Sequence, residues 1–329
     1  MPEDTDMERA EDSGSASPVV LRPARQVQSE TIDIELIRAL QQDGRASLTG
    51  IAERLGVSRD AVSQRLRALR EQEGLRVVAA LDPGVSGHHV QVNVKVEIAG
   101  PALPVARAVA EFPEAVFVSV TSGPLPLVVE SRHRDFDELH ATLDRIRAIP
   151  SVRRVQVSTY AEVLRGFFVS PDRGAVALDE LDHALIGILQ RDGRASYRAL
   201  ADAVHLSPSS ARARVRRLVE GGVIRIAAIS AGGMSHARIA IGVGLIVSDD
   251  ASAIREYITR SPDIGFAVRT HGTYDYITTM HGASPDRLFA VLEELRALPG
   301  VNALDSWVHY DLIKEDYVPS FNRGFPVVS

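Results

Sequence analysis

The chain of 329 residues contains no cysteine. That excludes disulfides, thiol redox sensing and thiolate metal sites. Lysine is almost missing: Lys95 and Lys314 stand against 35 arginines. No apolar run approaches the ~18 residues that a membrane-crossing helix needs. The acidic opening, Met1–Pro18, lacks the apolar stretch of a secretory signal, so a cytoplasmic location is expected. The ten histidines are scattered, and none has metal-ligand spacing on one face. Gly84-Val85-Ser86-Gly87 lacks the strand–elbow–helix setting of a hydrolase nucleophile. Gly232-Gly233 is followed by no Gly-Lys pair and reads as a turn, not a phosphate loop. No catalytic residue, metal or cofactor is expected. The net charge of −6 argues against indiscriminate nucleic-acid binding. It leaves room for a local basic patch.

What the chain does have is itself, twice. Asp43-Gly44-Arg45-Ala46-Ser47 recurs as Asp192-Gly193-Arg194-Ala195-Ser196, an offset of 149. The same offset pairs Asp33 with Asp182, Ser58 with Ser207, Arg65 with Arg214, Pro113 with Pro262, Gly123 with Gly272 and Pro150 with Pro299. No gap is needed from about residue 32 to 165, so each copy is a complete module.

The first third of each copy has helical periodicity. Ile34, Ile37 and Leu40 recur at three-residue steps behind Asp33, and Asp43-Gly44 reads as a stop with the glycine left-handed. Ser47 caps a second helix, Leu48–Leu55, which Gly56 breaks. Ser58 caps a third, Arg59–Glu71. Helix, helix, tight turn, helix is the pattern of a helix-turn-helix. On a helical wheel Val62, Leu66 and Leu69 share one sector, the core. Ser63, Gln64 and Arg67 face away, flanked by Arg59, Arg65 and Arg70. In the second copy Ala211, Val215 and Leu218 are core. Ser209, Arg212, Arg216 and Arg217 face out, with Arg214 flanking and Ser207 and Ser210 at the helix start. Arginine's planar fork suits phosphate, or guanine N7 and O6. A solvated arginine face is the plain alternative. The helix-turn-helix context and its repetition favour a double-stranded DNA surface.

The remainder of each copy mixes strands and helices. His89–Ile98 alternates apolar and polar residues, a strand. A helix over Ala102–Phe112, strands at Ala115–Thr121 and Leu127–Ser131, a helix at Phe136–Ile149 and a strand at Val152–Leu164 complete a βαββαβ order. That is the ferredoxin-like arrangement of an α+β chain. The second copy runs strand 238–247, helix 251–260, strands 264–270 and 276–281, helix 285–298 and strand 301–312. One sheet face is expected bare, carrying Val94, Val96, Ile241 and Val243, and so paired with the other module. The expected organisation is a disordered acidic tail (1–29), helix-turn-helix (30–76), ferredoxin-like domain (77–164) and linker (165–178, with a turn at Pro171-Asp172-Arg173-Gly174). A second helix-turn-helix (179–225), a second ferredoxin-like domain (226–314) and a C-terminal tail (315–329) follow.

Several residues give this layout a relative. Asp33…Leu40…Asp43-Gly44-Arg45, Ser58…Arg65-Leu66…Leu69 and Ser207-Pro208-Ser209…Arg214-Val215-Arg216-Arg217-Leu218…Gly222-Val223-Ile224 resemble the Lrp/AsnC (feast/famine) family of regulators. The resemblance covers about residues 30–315, in a tandem form of a module that ordinarily pairs with itself. It implies a transcriptional regulator whose sheet domains pair and bind an amino acid or similar small effector, with further association of chains. The family's effector loop, Gly-x-Tyr/Trp-Asp, has a counterpart in the second copy: Thr270, His271, Gly272, Thr273, Tyr274 and Asp275. The first copy has Gly123-Pro124-Leu125-Pro126 there, without acid or aromatic and short of N–H donors. The plain alternative is that Gly272 and Asp275 shape a hairpin. Two other readings stay open: a sirohaem-decarboxylase-like enzyme of the same architecture, and a small-molecule sensor that does not bind DNA.

Overall fold

The computed structural model describes residues 24–72, 74–166, 177–230, 239–248, 251–282 and 284–317. The first copy comprises α1 (Ala24–Gln42), α2 (Leu48–Leu55), α3 (Arg59–Gln72), β1 (Leu75–Leu81), β2 (Val90–Ile98), α4 (Ala102–Ala110), β3 (Ala115–Thr121), β4 (Leu127–His133), α5 (Phe136–Arg147) and β5 (Val152–Arg165). The second comprises α6 (Glu180–Arg191), α7 (Tyr197–Ala203), α8 (Pro208–Glu220), β6 (Ile224–Ser230), β7 (Ile239–Val247), α9 (Ser252–Arg260), β8 (Ile264–His271), β9 (Tyr276–Gly282), α10 (Pro285–Arg296) and β10 (Val301–Glu315). The first helix begins at Ala24, inside the stretch expected to be tail. The expected tail over 1–23, the turn Pro171–Gly174, Gly232-Gly233 and residues 318–329 lie outside the described residues.

The apolar stripes behave as their spacing requires. Leu36, Leu40, Val62, Leu66 and Leu69 are buried, and so are Leu185, Leu189, Ala211, Val215 and Leu218. They belong to one continuous core shared by both helix-turn-helix units. Each fully buried leucine adds roughly 1.5–3 kcal/mol, so neither unit holds its core alone. Two strands that the sequence reading passed over join them. β1 and β6 pair antiparallel from Leu75↔Ser230 to Leu81↔Ile224. Val77, Ala79 and Leu81 point into the helical core. α1 packs on β6 and α6 on β1, so each copy's first helix lies against the other copy's strand.

The repeated Asp-Gly-Arg motif is the clasp of this arrangement. Gly44 N donates to Ile226 O at 2.9 Å, and Gly193 N donates to Val77 O at 2.8 Å. Arg45 donates to Gly193 O (2.7 Å) and Ala195 O (2.9 Å). Arg194 returns the bonds to Gly44 O (2.7 Å) and Ala46 O (3.2 Å). The left-handed reading of Gly44 is therefore corrected: neither motif glycine has positive φ. Close approach demands them instead. A Cβ on Gly44 would meet the Ile226 carbonyl at 2.8 Å, and one on Gly193 would meet Ile226 Cγ2 at 2.7 Å.

The two βαββαβ halves close into one eight-stranded barrel, in the order β10-β3-β4-β2-β5-β8-β9-β7. The long last strands make the closure. β5 pairs with β2 of its own half and β8 of the other. β10 pairs likewise with β7 and β3. Sheet pairing between modules was expected, but through the wrong face. Val94 and Val96 pack under α4 and α5, and Val243 and Ile241 under α9 and α10. The all-valine face suits the apolar helix layer. The faces turned to each other carry Val128, Val268, Tyr274, Ile277 and Trp307, with Lys95 among them.

Candidate nucleic-acid interface and effector loop

The recognition helices begin where the capping residues say. Ser58 Oγ accepts from Ala61 N at 3.1 Å and Ser207 Oγ from Ser210 N at 3.1 Å. The Ser207 hydroxyl also bonds those of Ser209 and Ser210, at 2.9 Å each. Ser58 and Ser207 thus set the helix start, and a cap of this kind adds about 1 kcal/mol. The turn before each helix needs a left-handed residue. Gly56 supplies it in the first copy (φ 64°) and His205 in the second (φ 54°).

Three of the arginines assigned to DNA are engaged inside the protein. Arg65 Nε donates to Asp33 Oδ1 at 2.7 Å, with a second contact to Oδ2. Arg214 Nη1 reaches Asp179 Oδ2 (2.7 Å) and Asp182 Oδ1 (2.9 Å), and Arg217 also bonds Asp182. Asp182 is fully buried, so its charge must be paired where it stands. Arg65 and Arg214, read as flanking, and Arg217, read as facing out, thus tie the third helix to the first, while Arg217 keeps 47% of its side chain exposed. Arg59, Gln64, Arg67 and Arg70 remain exposed on α3, with Ser63 half-buried. Ser209, Arg212 and Arg216 remain exposed on α8. Arg59 is 64% exposed beside Asp60 at 3.9 Å, and Arg216 is 69% exposed beside Glu220 at 3.8 Å. Exposed pairs this loose contribute about 0–1 kcal/mol and exchange readily for a phosphate.

The expected effector loop sits between the modules. Gly272 has φ 145°, and a Cβ there would lie 2.5 Å from Val157 O of β5. Thr270 Oγ1 donates to Tyr274 O. Tyr274 is buried, stacks on Trp307 at 6.0 Å and donates to Asp305 Oδ2 at 2.9 Å. Asp275 Oδ2 accepts from Val247 N at 2.8 Å. His271, Gly272 and Thr273 stay exposed. The aromatic and the acid of the expected loop both fasten the hairpin, Tyr274 through its ring and hydroxyl and Asp275 through one carboxylate oxygen.

Polar residues inside the barrel escaped the sequence reading altogether. Lys95 Nζ lies 3.5 Å from the Trp307 ring centre, and burial pushes its pKa down to about 8 against the pull of Asp305. His309 is held near 4 by burial and by Lys95, and its Nδ1 meets Ser119 Oγ at 2.9 Å. At the other end Glu130 is pushed up to about 7 by burial, with Arg132 opposing. It borders a cavity of about 30 Å³ with Arg132, Tyr160 and Tyr317, room for roughly one water. Their signal was available: polar residues at alternate positions of strands whose other face is valine.

The model of the AsnC-type helix-turn-helix domain matches residues 31–70 and 178–219. The model of the Lrp/AsnC ligand-binding domain matches residues 89–165, in the first copy. The HTH-type transcriptional regulator FL11 of Pyrococcus horikoshii is 34% identical over 125 residues, which is 37% of this chain and 83% of that one. The HTH-type transcriptional regulator LysM of Sulfurisphaera tokodaii is 24% identical over 131 residues, 40% of this chain and 94% of that one. Each of these relatives therefore corresponds to about one module. The crystal structure of the siroheme decarboxylase NirDL, bound to an iron-uroporphyrin III analogue, superimposes with a TM-score of 0.56. It covers 88% of this chain and 94% of that one at 15% identity, a likeness of fold alone.

Proposed function

This chain belongs to the Lrp/AsnC family of transcriptional regulators, and from that premise we propose that it reads two unlike half-sites on double-stranded DNA as one preassembled pair. The observation that carries the proposal is the clasp. Reciprocal Arg45 and Arg194 bonds and the β1–β6 ribbon fix the helix-turn-helix units in one mutual register. Units of this kind reach successive major grooves roughly 34 Å apart. Arg59 and Arg70, with the backbone N–H groups behind Ser58 and Ser207, meet phosphate. Gln64 and Arg67 read bases in one half-site, and Ser209, Arg212 and Arg216 in the other. The two sets differ, so the operator is an imperfect palindrome at best. An amino-acid-like effector, held by the second sheet domain, modulates the binding, and chains associate further in a cytoplasmic setting. Footprinting on fragments selected by the purified chain tests this. Two dissimilar half-sites about one turn apart are expected, with affinity that falls steeply with salt. A perfect palindrome contradicts unequal reading, and indifference to duplex DNA at low salt removes the regulator altogether.

Tetrapyrrole chemistry is the second reading, because the NirDL likeness spans both modules. The 30 Å³ cavity among Glu130, Arg132 and Tyr160 is far below the size of a macrocycle. A Soret shift on adding an iron-uroporphyrin would favour that reading; an unchanged spectrum with intact DNA binding favours regulation.

A further inference from the structure

One aromatic ring stands between the clasp and a recognition helix. Tyr197 is the first residue of α7. Ser196 fixes the helix start there, its Oγ accepting from Ala199 N at 3.1 Å. The Tyr197 side chain is half-buried and packs against the shared helical core. The Arg45 guanidinium of the first copy lies 4.4 Å from the centre of its ring. The Arg212 guanidinium of α8 lies 5.9 Å from the same centre. Both are within the ~6 Å reach of a cation–π contact, Arg212 at its outer limit.

The two arginines are held very differently. Arg45 is anchored by donation to Gly193 O at 2.7 Å and Ala195 O at 2.9 Å. It cannot leave the ring without opening the clasp. Arg212 is exposed. Among the described residues its guanidinium makes no hydrogen bond or ion pair, whereas Arg216 on the same helix has Glu220 at 3.8 Å. The fork of Arg212 is thus open to a partner outside the protein. A long side chain must be ordered before its fork can meet two acceptors of one base, and that ordering opposes binding. A ring beside the guanidinium restricts its swing without using its donors, because the attraction is to the charge and not to the N–H groups.

The first copy lacks this arrangement. At the repeat offset, Leu48 stands in place of Tyr197 and Ser63 in place of Arg212. The anchored arginine is present on both sides, since Arg194 donates to Gly44 O and Ala46 O. The equivalent positions around it offer neither a ring nor a second guanidinium. A chain of contacts from one copy's clasp to the other copy's reading helix therefore runs in one direction only.

Resting on the regulator reading above, we propose that Tyr197 is a positioning residue for base recognition by the second helix-turn-helix unit. It holds Arg212 ready for a guanine, whose N7 and O6 match the guanidinium fork. Arg45 keeps the ring in place, so the second unit's reading depends on the first copy. Binding of the full chain to its selected operator, and to operators with one base pair changed in either half-site, tests this. Arg212→Ser installs the first copy's residue at an exposed position and lowers the preference at one guanine by at least about tenfold. Tyr197→Leu, likewise the first copy's residue, lowers the same preference about fivefold and leaves the other half-site within about twofold. Tyr197→Met, equally without a π face, carries the same expectation should the leucine variant not fold. Tyr197→Phe keeps the π face and stays within about twofold of the unsubstituted chain. In the Arg212→Ser background, Tyr197→Leu changes nothing beyond about twofold. A Tyr197→Leu loss that persists in that background, or that falls equally on both half-sites, overturns the proposal and leaves Tyr197 a packing residue. So does full preference in Tyr197→Leu. An Arg212→Ser loss that is uniform across sequences and reduces the salt dependence marks a phosphate contact and overturns it too. A chain that ignores duplex DNA altogether strikes the regulator reading as well, whereas the other results strike this proposal alone.

Discussion

The two copies agree where they must hold each other and diverge where each faces outward. Asp-Gly-Arg, the first-helix aspartate with its arginine, and the long last strand are repeated, and all of them serve pairing or core. Apart from Arg67 and Arg216, the outward residues of α3 and α8 are not repeated, nor are the turn before them and the loop at Gly123 and Gly272. A chain that carries both halves is free to specialise them, because only the seam between them must stay self-complementary.

Four changes would break or sharpen that comparison. The largest concerns the aspartates. Asp182 is fully buried between Arg214 and Arg217, whereas Asp33 keeps 14% exposure and faces Arg65. Asp182→Ala should cost about 1.5–3 kcal/mol in denaturant unfolding, since the two arginines it leaves behind still reach solvent. Asp33→Ala should cost clearly less; equal losses would mean that the burial difference is immaterial.

Next is the barrel interior, where Glu130 has Thr279 as its repeat partner. Burial raises the folded-state pKa of Glu130 from 4.5 to about 7. The folded protein therefore holds this proton more tightly than the unfolded chain. The associated stability is present at low pH and is lost as pH rises from about 4.5 through 7. Glu130→Gln should raise stability at pH 8, by up to about 3 kcal/mol, and change it little near pH 4. His309 works the other way. Its folded-state pKa is lowered from 6.5 to about 4, so its contribution disappears as pH falls through that window. Thermal melts across pH, with and without each substitution, separate the two ends of the barrel.

Third, Arg67→Ala and Arg216→Ala should each remove about 1–3 kcal/mol of discrimination in one half-site and leave the other intact. Selection of operator fragments with each variant reads this directly. Loss of preference in both halves at once would show that the assignment of helices to half-sites is wrong. The smallest effect is at the turns. His205→Gly should stabilise the second unit by up to about 1 kcal/mol, and Gly56→Ala should destabilise the first by a similar amount or more, because both positions are left-handed.

Much of the fold was legible because it is written at two scales. The helical periods located the C-terminal part of α1, α2, α3 and α8, and the 149-residue offset exposed the duplication. The βαββαβ order also followed from alternation and turn residues. What could not be read was contact between the copies. Asp-Gly-Arg looks like a helix stop because it is one. Nothing local says that its arginine crosses to the other motif. β1 and β6 are short, apolar and continuous with the preceding helix, so neither has a periodic signature of its own. The sheet face was misassigned because valine marks burial without naming what buries it. At the candidate sites, Arg65, Arg214, Arg217, Tyr274 and Asp275 are all bonded within the protein. Sequence spacing placed them on their elements; only packing revealed their partners.

The clasp has a consequence for dose. Two separate modules meet by chance, so their joint occupancy of an operator rises with the square of concentration when they are scarce. Here they share one backbone, and each sees the other at an effective concentration on the order of millimolar. Dilution cannot part them, and no scrambled pairing of like halves can compete. The ribbon of β1 with β6 thus makes the internal pair's response to its own abundance linear, and ties every reading helix to its unlike partner from the moment of synthesis.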